Sequence, residues 1–253
     1  MPHLLDFDDV RRRLERDRTW SAFSLADLDL PYAQHATWFG PPHGDSVVLV
    51  YGAFDPPIVF CQGEPAECEA ILAEAQVVSR TSRAYLNVTD RLWPIVGPNF
   101  TRFEPRRMSR MLLHGDLLSA PSPTAAVPLG PDDLGALRFL YDKEPPEFFL
   151  PEHVKDGVYF GVRQSGDLVA VAGTHVVSAR GSVGAIGNVY TRPDCRGRGL
   201  AAEVTGAVAR ELQRRGTATI VLNVADSNGV ARRVYERLGF VEYCVFHEGL
   251  ARR

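Results

Sequence analysis

The stretch Arg196-Gly197-Arg198-Gly199-Leu200-Ala201 joins a strand-like run, 182–191, to a helix-like run, 200–215. Two glycines this close let the backbone turn sharply through left-handed conformations and feed straight into a helix. The first turn of that helix presents N–H groups without intrahelical partners, at the positive end of the helix dipole. Arg196 and Arg198 add full charge. A turn of this kind suits a phosphorylated ligand. The lysine and Ser/Thr of a nucleotide-hydrolysing P-loop are missing, so the phosphates belong to something other than a nucleotide being hydrolysed. A solvated turn, or a fragment of an RNA-binding RGG segment, is the competing reading of the four residues alone.

The chain beyond the loop narrows the choice. Residues 219–224, TIVLNV, carry a buried-strand signal. Asp226-Ser227-Asn228-Gly229 forms a turn with capping side chains for a helix over 230–238, which stops at Gly239, and 240–246 reads as another strand. Ahead of the loop come a helix over 132–141, a proline-interrupted segment at 145–154, strands over 158–163 and 168–177 joined at 165–167, and a strand over 183–191. Strand hairpins first and a β-α-β-α-β tail afterwards predict an α/β fold with a mixed sheet, antiparallel early and parallel later.

This succession resembles the GNAT superfamily of coenzyme A-dependent N-acyltransferases. The residues that carry the likeness are Asn188-Val189-Tyr190-Thr191-Arg192-Pro193, then Arg196, Gly199 and Ala201, then Leu222-Asn223-Val224. Asn228, Ala231, Tyr235, Gly239 and Phe240 complete the set. The likeness covers about half the chain, from near Val127 to the C-terminus. Gly173-Thr174-His175 and Gly187-Asn188-Val189-Tyr190 resemble the glycine N-acyltransferase-like branch. The resemblance implies two central parallel strands that splay apart, with the pantetheine arm of coenzyme A entering the gap.

It also implies roles. Arg196, Gly197, Arg198, Gly199, Leu200 and Ala201 would hold the cofactor's pyrophosphate, chiefly through backbone N–H groups; Ala201 replaces a glycine common at the motif's end. Val189, Tyr190 and Thr191 would pair with the pantetheine amides as if with an added strand, and an N–H near Val189 would polarise the thioester carbonyl. Asn228 is the family's usual cofactor-contacting asparagine, with helix capping as a competing role, and Asn223 is a further candidate. Tyr235, seven residues on and about two helical turns along the same face, would protonate the departing thiolate. Many members use a glutamate in the strand before the loop, but 182–191 contains no acid. A water relay, His175, Glu147, Glu152 or His153 stand as candidate bases.

The implied activity is direct transfer of an acetyl group from acetyl-CoA to a primary amine of a small molecule or amino acid. A non-catalytic coenzyme A-binding sensor and an interaction module are the alternatives. Glu144, Glu147 and Glu152 could attract a cationic amine, or form a solvated acidic loop.

The segment 119–126, SAPSPTAA, has linker composition and divides an N-terminal domain, 1–120, from the acyltransferase-like domain, 126–253. The N-terminal part reads as strands over 47–53 and 58–62, a helix over 65–75, a strand over 84–88 and another over 102–113. That order echoes the C-terminal half and suggests a degenerate GNAT-like domain, with Gln62-Gly63-Glu64-Pro65 where the phosphate loop would be; an unrelated α/β cap is the alternative.

Composition excludes several classes. A net charge of −3 gives no footprint for nucleic acid. No apolar run approaches the ~20 residues that span a bilayer, and residues 1–18 lack the apolar core of a signal peptide, so cytoplasmic residence is expected. Cys61, Cys68, Cys195 and Cys244 form no C-x-x-C pair and join no histidine cluster, which points to free thiols and no metal site. Cys195 adjoins the loop, where positive charge would lower its pKa, or is an incidental loop residue. A homodimer is one option for the oligomeric state.

Overall fold

The computed structural model describes residues 3–74, 83–96, 100, 102–103, 105–115, 117, 125–142, 146 and 148–252. The linker-like stretch at 119–124 and the acids Glu144 and Glu147 lie outside the described residues. The chain groups into two compact units, one of 1–110, 225–227 and 243–253, the other of 111–224 and 228–242.

The first unit opens with β1 (His3–Leu4), α1 (Phe7–Leu14) and α2 (Ala22–Ala26), none of which the sequence reading assigned. Strands β2 (Ala36–Gly40), β3 (Val47–Tyr51) and β4 (Ile58–Gln62) pair antiparallel in that order. Helix α3 (Pro65–Glu74) then crosses to β5 (Arg83–Thr89), which runs parallel to β4. Next come α4 (Trp93–Val96), β6 (Arg102–Phe103) and β7 (Arg106–Leu113), whose end from Met111 onward belongs to the second unit.

The β4–β5 ladder stops at Phe60–Asn87, although both strands continue. Past that point the strand ends are bonded by the unit's own side chains, which also line a cavity of about 420 Å³. The Trp20 indole N–H donates to the Cys61 carbonyl at 3.1 Å, and its ring stacks on Phe60 at 5.2 Å. Gln62 is held by Ser21 Oγ and by the Arg13 carbonyl. At the entry to α3, Ser46 Oγ accepts the Glu64 N–H at 2.9 Å and donates to Glu67 at 2.5 Å. A Cβ on Gly63 would lie 2.2 Å from Ser46 Oγ.

The second unit contains β8 (Ala126–Leu129), α5 (Leu134–Tyr141), α6 (Pro151–Asp156), β9 (Tyr159–Gln164), β10 (Asp167–Ser178) and β11 (Val183–Thr191). Helix α7 (Leu200–Arg214), β12 (Thr219–Ala225), α8 (Gly229–Arg237) and the start of β13 (Phe240–Arg252) complete it. Strands β8 to β11 are antiparallel neighbours, and β11–β12 is parallel, giving the expected mixed α/β sheet. One face buries α7 through Leu200, Val204, Val208 and Leu212, a stripe at four-residue spacing. At the C-terminal end of α7, Glu211 bonds to Arg214 and Arg215. The other face of the sheet packs Leu137, Leu140 and Tyr141 of α5 and Val154 of α6 against Leu168 and Val171.

Strand β13 runs past the expected end at 246. Phe246 to Arg252 pairs antiparallel with Thr89 to Arg83, which places the chain's end in the first unit. The polar residues His247, Glu248 and Gly249 hide this extension from hydropathy. In the fold Glu248 is buried and accepts from Arg106 Nη2 at 3.1 Å.

Candidate functional site

After β11 the chain makes a 3-10 turn at Pro193–Cys195 and enters the glycine loop. Gly197 and Gly199 have φ of +77° and +79°, the left-handed region that glycine alone enters without steric cost. A Cβ on either would meet nothing within 4 Å, so the cost of substitution is torsional, and the space above the loop is open. Gly199 is the N-cap of α7, and Glu203 N–H returns to its carbonyl at 3.1 Å. The N–H groups of Leu200 and Ala201 precede the first intrahelical bond. The Leu200 side chain is buried and anchors this turn in the core, while the backbone from Arg196 to Gly199 is exposed.

The arginines fasten the loop. Arg196 Nε donates to the Thr191 carbonyl at 3.0 Å, and its guanidinium lies 5.9 Å from the Tyr190 ring. Arg198 Nη2 donates to the Asp194 carbonyl at 3.1 Å, and Arg192 makes a two-point ion pair with Asp194 at 2.7 and 2.9 Å. Cys195 is buried beneath, its Sγ 3.7 Å from Gln164 Oε1, a packing anchor at the foot of the loop.

The parallel β11–β12 ladder contains four register pairs and stops at Ile186–Leu222. Gly187 to Thr191 and Asn223 to Ala225 continue without pairing to each other. The gap that the resemblance implied therefore opens where the glycine loop begins. Val189 packs on the α7 side of the sheet and Tyr190 on the other, 5.9 Å from the Tyr141 ring. Thr191 Oγ1 is a buried oxygen with no partner. Asn223 is the first β12 residue beyond the last pair and is half-buried. These observations fit an extended, amide-bearing ligand arm, since unpaired strand backbone and an unsatisfied hydroxyl both seek hydrogen bonds.

Asn228 is the N-cap of α8, with φ −87° and ψ 65°, and its Oδ1 accepts the Ala231 N–H at 3.1 Å. It is exposed, and its carbonyl accepts the first helical bond, from the Arg232 N–H at 3.1 Å. Tyr235 is buried at 7% exposure in the same core as Leu200 and Val189, its ring 6.3 Å from Phe240. Leu200, Val189 and Tyr235 share one core cluster, and Asn228 caps α8. Burial pushes the Tyr235 phenol up to about 12.

Among the candidate bases, Glu152 is exposed on α6. His153 and His175 face each other with ring centroids 6.0 Å apart. Burial lowers His153 to about 4 and, with the neighbouring His153, lowers His175 to about 3. Both are neutral at pH 7 and weakly basic. His153 Nδ1 accepts the Leu150 N–H at 3.3 Å, so its free-ring proton sits on Nε2. Each pKa is depressed below the unfolded value near 6.5, so each histidine's contribution to stability is complete above that pH and is lost as pH falls toward 4 and 3. Thermal midpoints should fall from pH 7 to pH 4, with a shallower fall in His175→Gln; an equal slope in the two proteins would contradict this.

Sequence reading missed a polar cluster on the α5 side. Tyr141 Oη donates to the Asn188 carbonyl at 2.7 Å, Asn188 Nδ2 donates to Tyr159 Oη at 2.7 Å, and Tyr159 Oη donates to the Thr174 carbonyl at 3.3 Å. The traceable signal is the pair of glycines opposite large rings. A Cβ on Gly173 would lie 2.2 Å from Tyr159, and one on Gly187 would lie 2.0 Å from His175.

Residues 130–240, under half of the chain, match the model of the acetyltransferase (GNAT) family. The segment is similar to that family and has the mixed α/β sheet of its fold. The GNAT fold goes with binding of a coenzyme A-type cofactor, and among the described residues no cluster of His, Cys, Asp or Glu is placed to hold a metal. Also among the described residues, no helix is long and apolar enough to cross a membrane.

Two kinds of curated relative match part of the chain. A mycothiol acetyltransferase from Thermobispora bispora is 37% identical over 106 residues, 40% of this chain and 32% of that protein. A [ribosomal protein bS18]-alanine N-acetyltransferase from Escherichia coli is 36% identical over 83 residues, 33% of this chain and 54% of that protein. The chain thus spans between about a third and about half of the curated relatives it matches. Solved structures match over far more of it. A Drosophila protein superposes with a TM-score of 0.75 at 17% identity, covering 100% of this chain and 98% of that one. A GCN5-related N-acetyltransferase from Kribbella flavida gives 0.65 at 18% identity, covering 92% and 95%. At such identities the likeness is one of fold.

Proposed function

We propose that the GNAT-like domain transfers an acetyl group from acetyl-CoA directly to a primary amine of a small molecule or amino acid. The observation that carries this reading is the β11–β12 ladder ending at Ile186–Leu222 beside an open left-handed glycine loop. The N–H groups of Gly197, Gly199, Leu200 and Ala201, with Arg196 and Arg198, hold the pyrophosphate. The backbone of Val189, Tyr190 and Thr191 meets the pantetheine amides, with Asn223 across the gap and Asn228 acting through its cap on α8. The Gly173-Thr174-His175 and Gly187-Asn188-Val189-Tyr190 stretches are the ground for placing the chain near the glycine N-acyltransferase-like branch.

The amine nitrogen attacks the thioester carbonyl, whose oxygen is met by the Val189 N–H. The C–S bond breaks, the Tyr235 hydroxyl protonates the leaving sulfur, and the proton shed by the acylated nitrogen returns through water to restore the phenol. No acid lies in β11, and the two histidines are weakly basic, so the amine enters neutral or loses its proton to water. Those weak bases favour one alternative, a domain that binds coenzyme A without turning it over. Acetyl-CoA mixed with a panel of amines separates the two: transfer releases free thiol and gives an acetylated product by mass, whereas a sensor releases none.

We further propose that the chain holds an N-terminal domain, 1–120, and the acyltransferase domain, 126–253, the first being a GNAT-like repeat without a cofactor. The order β2-β3-β4-α3-β5, with a parallel final pair, supports the repeat. The absence of a cofactor there is supported by Gln62-Gly63-Glu64-Pro65, which has no arginine, and by Ser46 Oγ already accepting the Glu64 N–H. Calorimetric titration should give one coenzyme A per chain; two per chain would remove this reading of the N-terminal domain.

A further inference from the structure

Asn188 stands at a defect in the sheet. Across β10 and β11, Val171 pairs with Tyr190 and Gly173 with Gly187, so Asn188 and Val189 together face the single residue Ala172. This is a β-bulge, and it comes directly after the end of the β11–β12 ladder. Asn188 and Val189 therefore have no register partner on either side. Asn188 also has φ of +53°, the left-handed region that glycine favours and that asparagine enters more readily than most other residues, though at a cost unless the surroundings hold it.

The surroundings do enforce it. Tyr141 Oη grips the Asn188 carbonyl at 2.7 Å, and Asn188 Nδ2 is bolted to Tyr159 Oη at 2.7 Å. The Tyr159 proton goes to the Thr174 carbonyl, so the phenol can only accept from Asn188, which fixes the amide's orientation. Tyr141, Tyr159 and Thr174 are buried, and Asn188 is 7% exposed. The Tyr141 ring packs on Phe149 at 5.3 Å and on Tyr190 at 5.9 Å, which holds its hydroxyl in place. A glycine would satisfy the backbone of the bulge. Asparagine adds a bolt, at the cost of leaving its Oδ1 buried without a partner.

We propose that Tyr141 and Asn188 are positioning residues for acyl transfer: they lock the β11 bulge so that the Val189 N–H, outside both ladders, stays aimed at the thioester carbonyl. This rests on the proposed acetyl-CoA reaction. Neither side chain touches the reacting atoms. Each acts through the backbone of the bulge, and the effect falls on polarisation of the carbonyl and not on cofactor affinity.

The test uses the full chain and acetyl-CoA carrying a ¹³C-labelled carbonyl, read by isotope-edited infrared difference spectroscopy, which needs no acceptor amine. In the wild type the bound thioester carbonyl should shift to lower frequency. Tyr141→Phe keeps the ring and removes the grip. It should lose most of that shift and lower kcat by roughly 10–100-fold on any amine the wild type acetylates, with coenzyme A affinity changed less than about twofold. Asn188→Gly, which keeps the left-handed backbone but not the bolt, is the second variant and should behave alike, also if Tyr141→Phe fails to fold. Retention of the wild-type shift in a folded variant overturns the proposal, as does a wild-type complex with no shift. Failure of the wild type to bind acetyl-CoA at all is a different result, and it refutes the functional reading itself.

Discussion

Gly199→Val should abolish measurable coenzyme A binding while the protein stays folded. Gly199 has φ of +79° and caps α7, and the space around its Cβ position is open. A β-branched residue there costs about 1–2 kcal/mol for the left-handed backbone alone, and it relaxes by turning the loop. Turning the loop moves the N–H groups of Gly199 and Leu200 off a shared anion. Two charge-assisted hydrogen bonds lost at about 1.5 kcal/mol or more each amount to about a 100-fold or greater loss of affinity. Gly199→Ala should fall between, because its backbone penalty is similar and its bulk smaller. Calorimetric titration of the variant, with circular dichroism to verify the fold, reads this directly. Normal affinity in Gly199→Val would mean that the loop does not hold the cofactor.

Tyr235→Phe should lower kcat by about 100-fold or more, the usual worth of a positioned general acid, with coenzyme A affinity changed less than about twofold. The ring stays, so packing against Phe240 and the surrounding core is kept. The burial that raises the phenol to about 12 also keeps it protonated across the working range. Its pKa lies above that of a free phenol, so it is a weaker acid in bulk terms. In a dry site its hydrogen bond to a developing thiolate is correspondingly stronger. On this basis kcat should show no alkaline limb from this group until pH nears 12. Unchanged turnover in the variant would remove Tyr235 from the chemistry.

The second unit was largely legible in the sequence because its signals are local. Glycines with positive φ, the apolar stripe from Leu200 to Leu212 and the largely apolar run of β12 each leave a mark within a few residues. Two things were not legible. The pairing of β13 with β5 joins residues more than 150 positions apart through a polar stretch around Glu248, and no short-range pattern encodes it. The Tyr141–Asn188–Tyr159 cluster is assembled from α5, β9 and β11, so its members read singly as ordinary core aromatics and a strand asparagine. The first 40 residues gave little because α1 and α2 are short and β2 only half apolar, so none presents a long periodic face.

A crystal structure of the full chain grown with coenzyme A bears most directly on the site. The pyrophosphate should lie on the N–H groups from Gly197 to Ala201, with the pantetheine arm between Val189–Thr191 and Asn223–Ala225. A cofactor bound elsewhere, or β11 and β12 paired along their full length with the glycine loop empty, would contradict it.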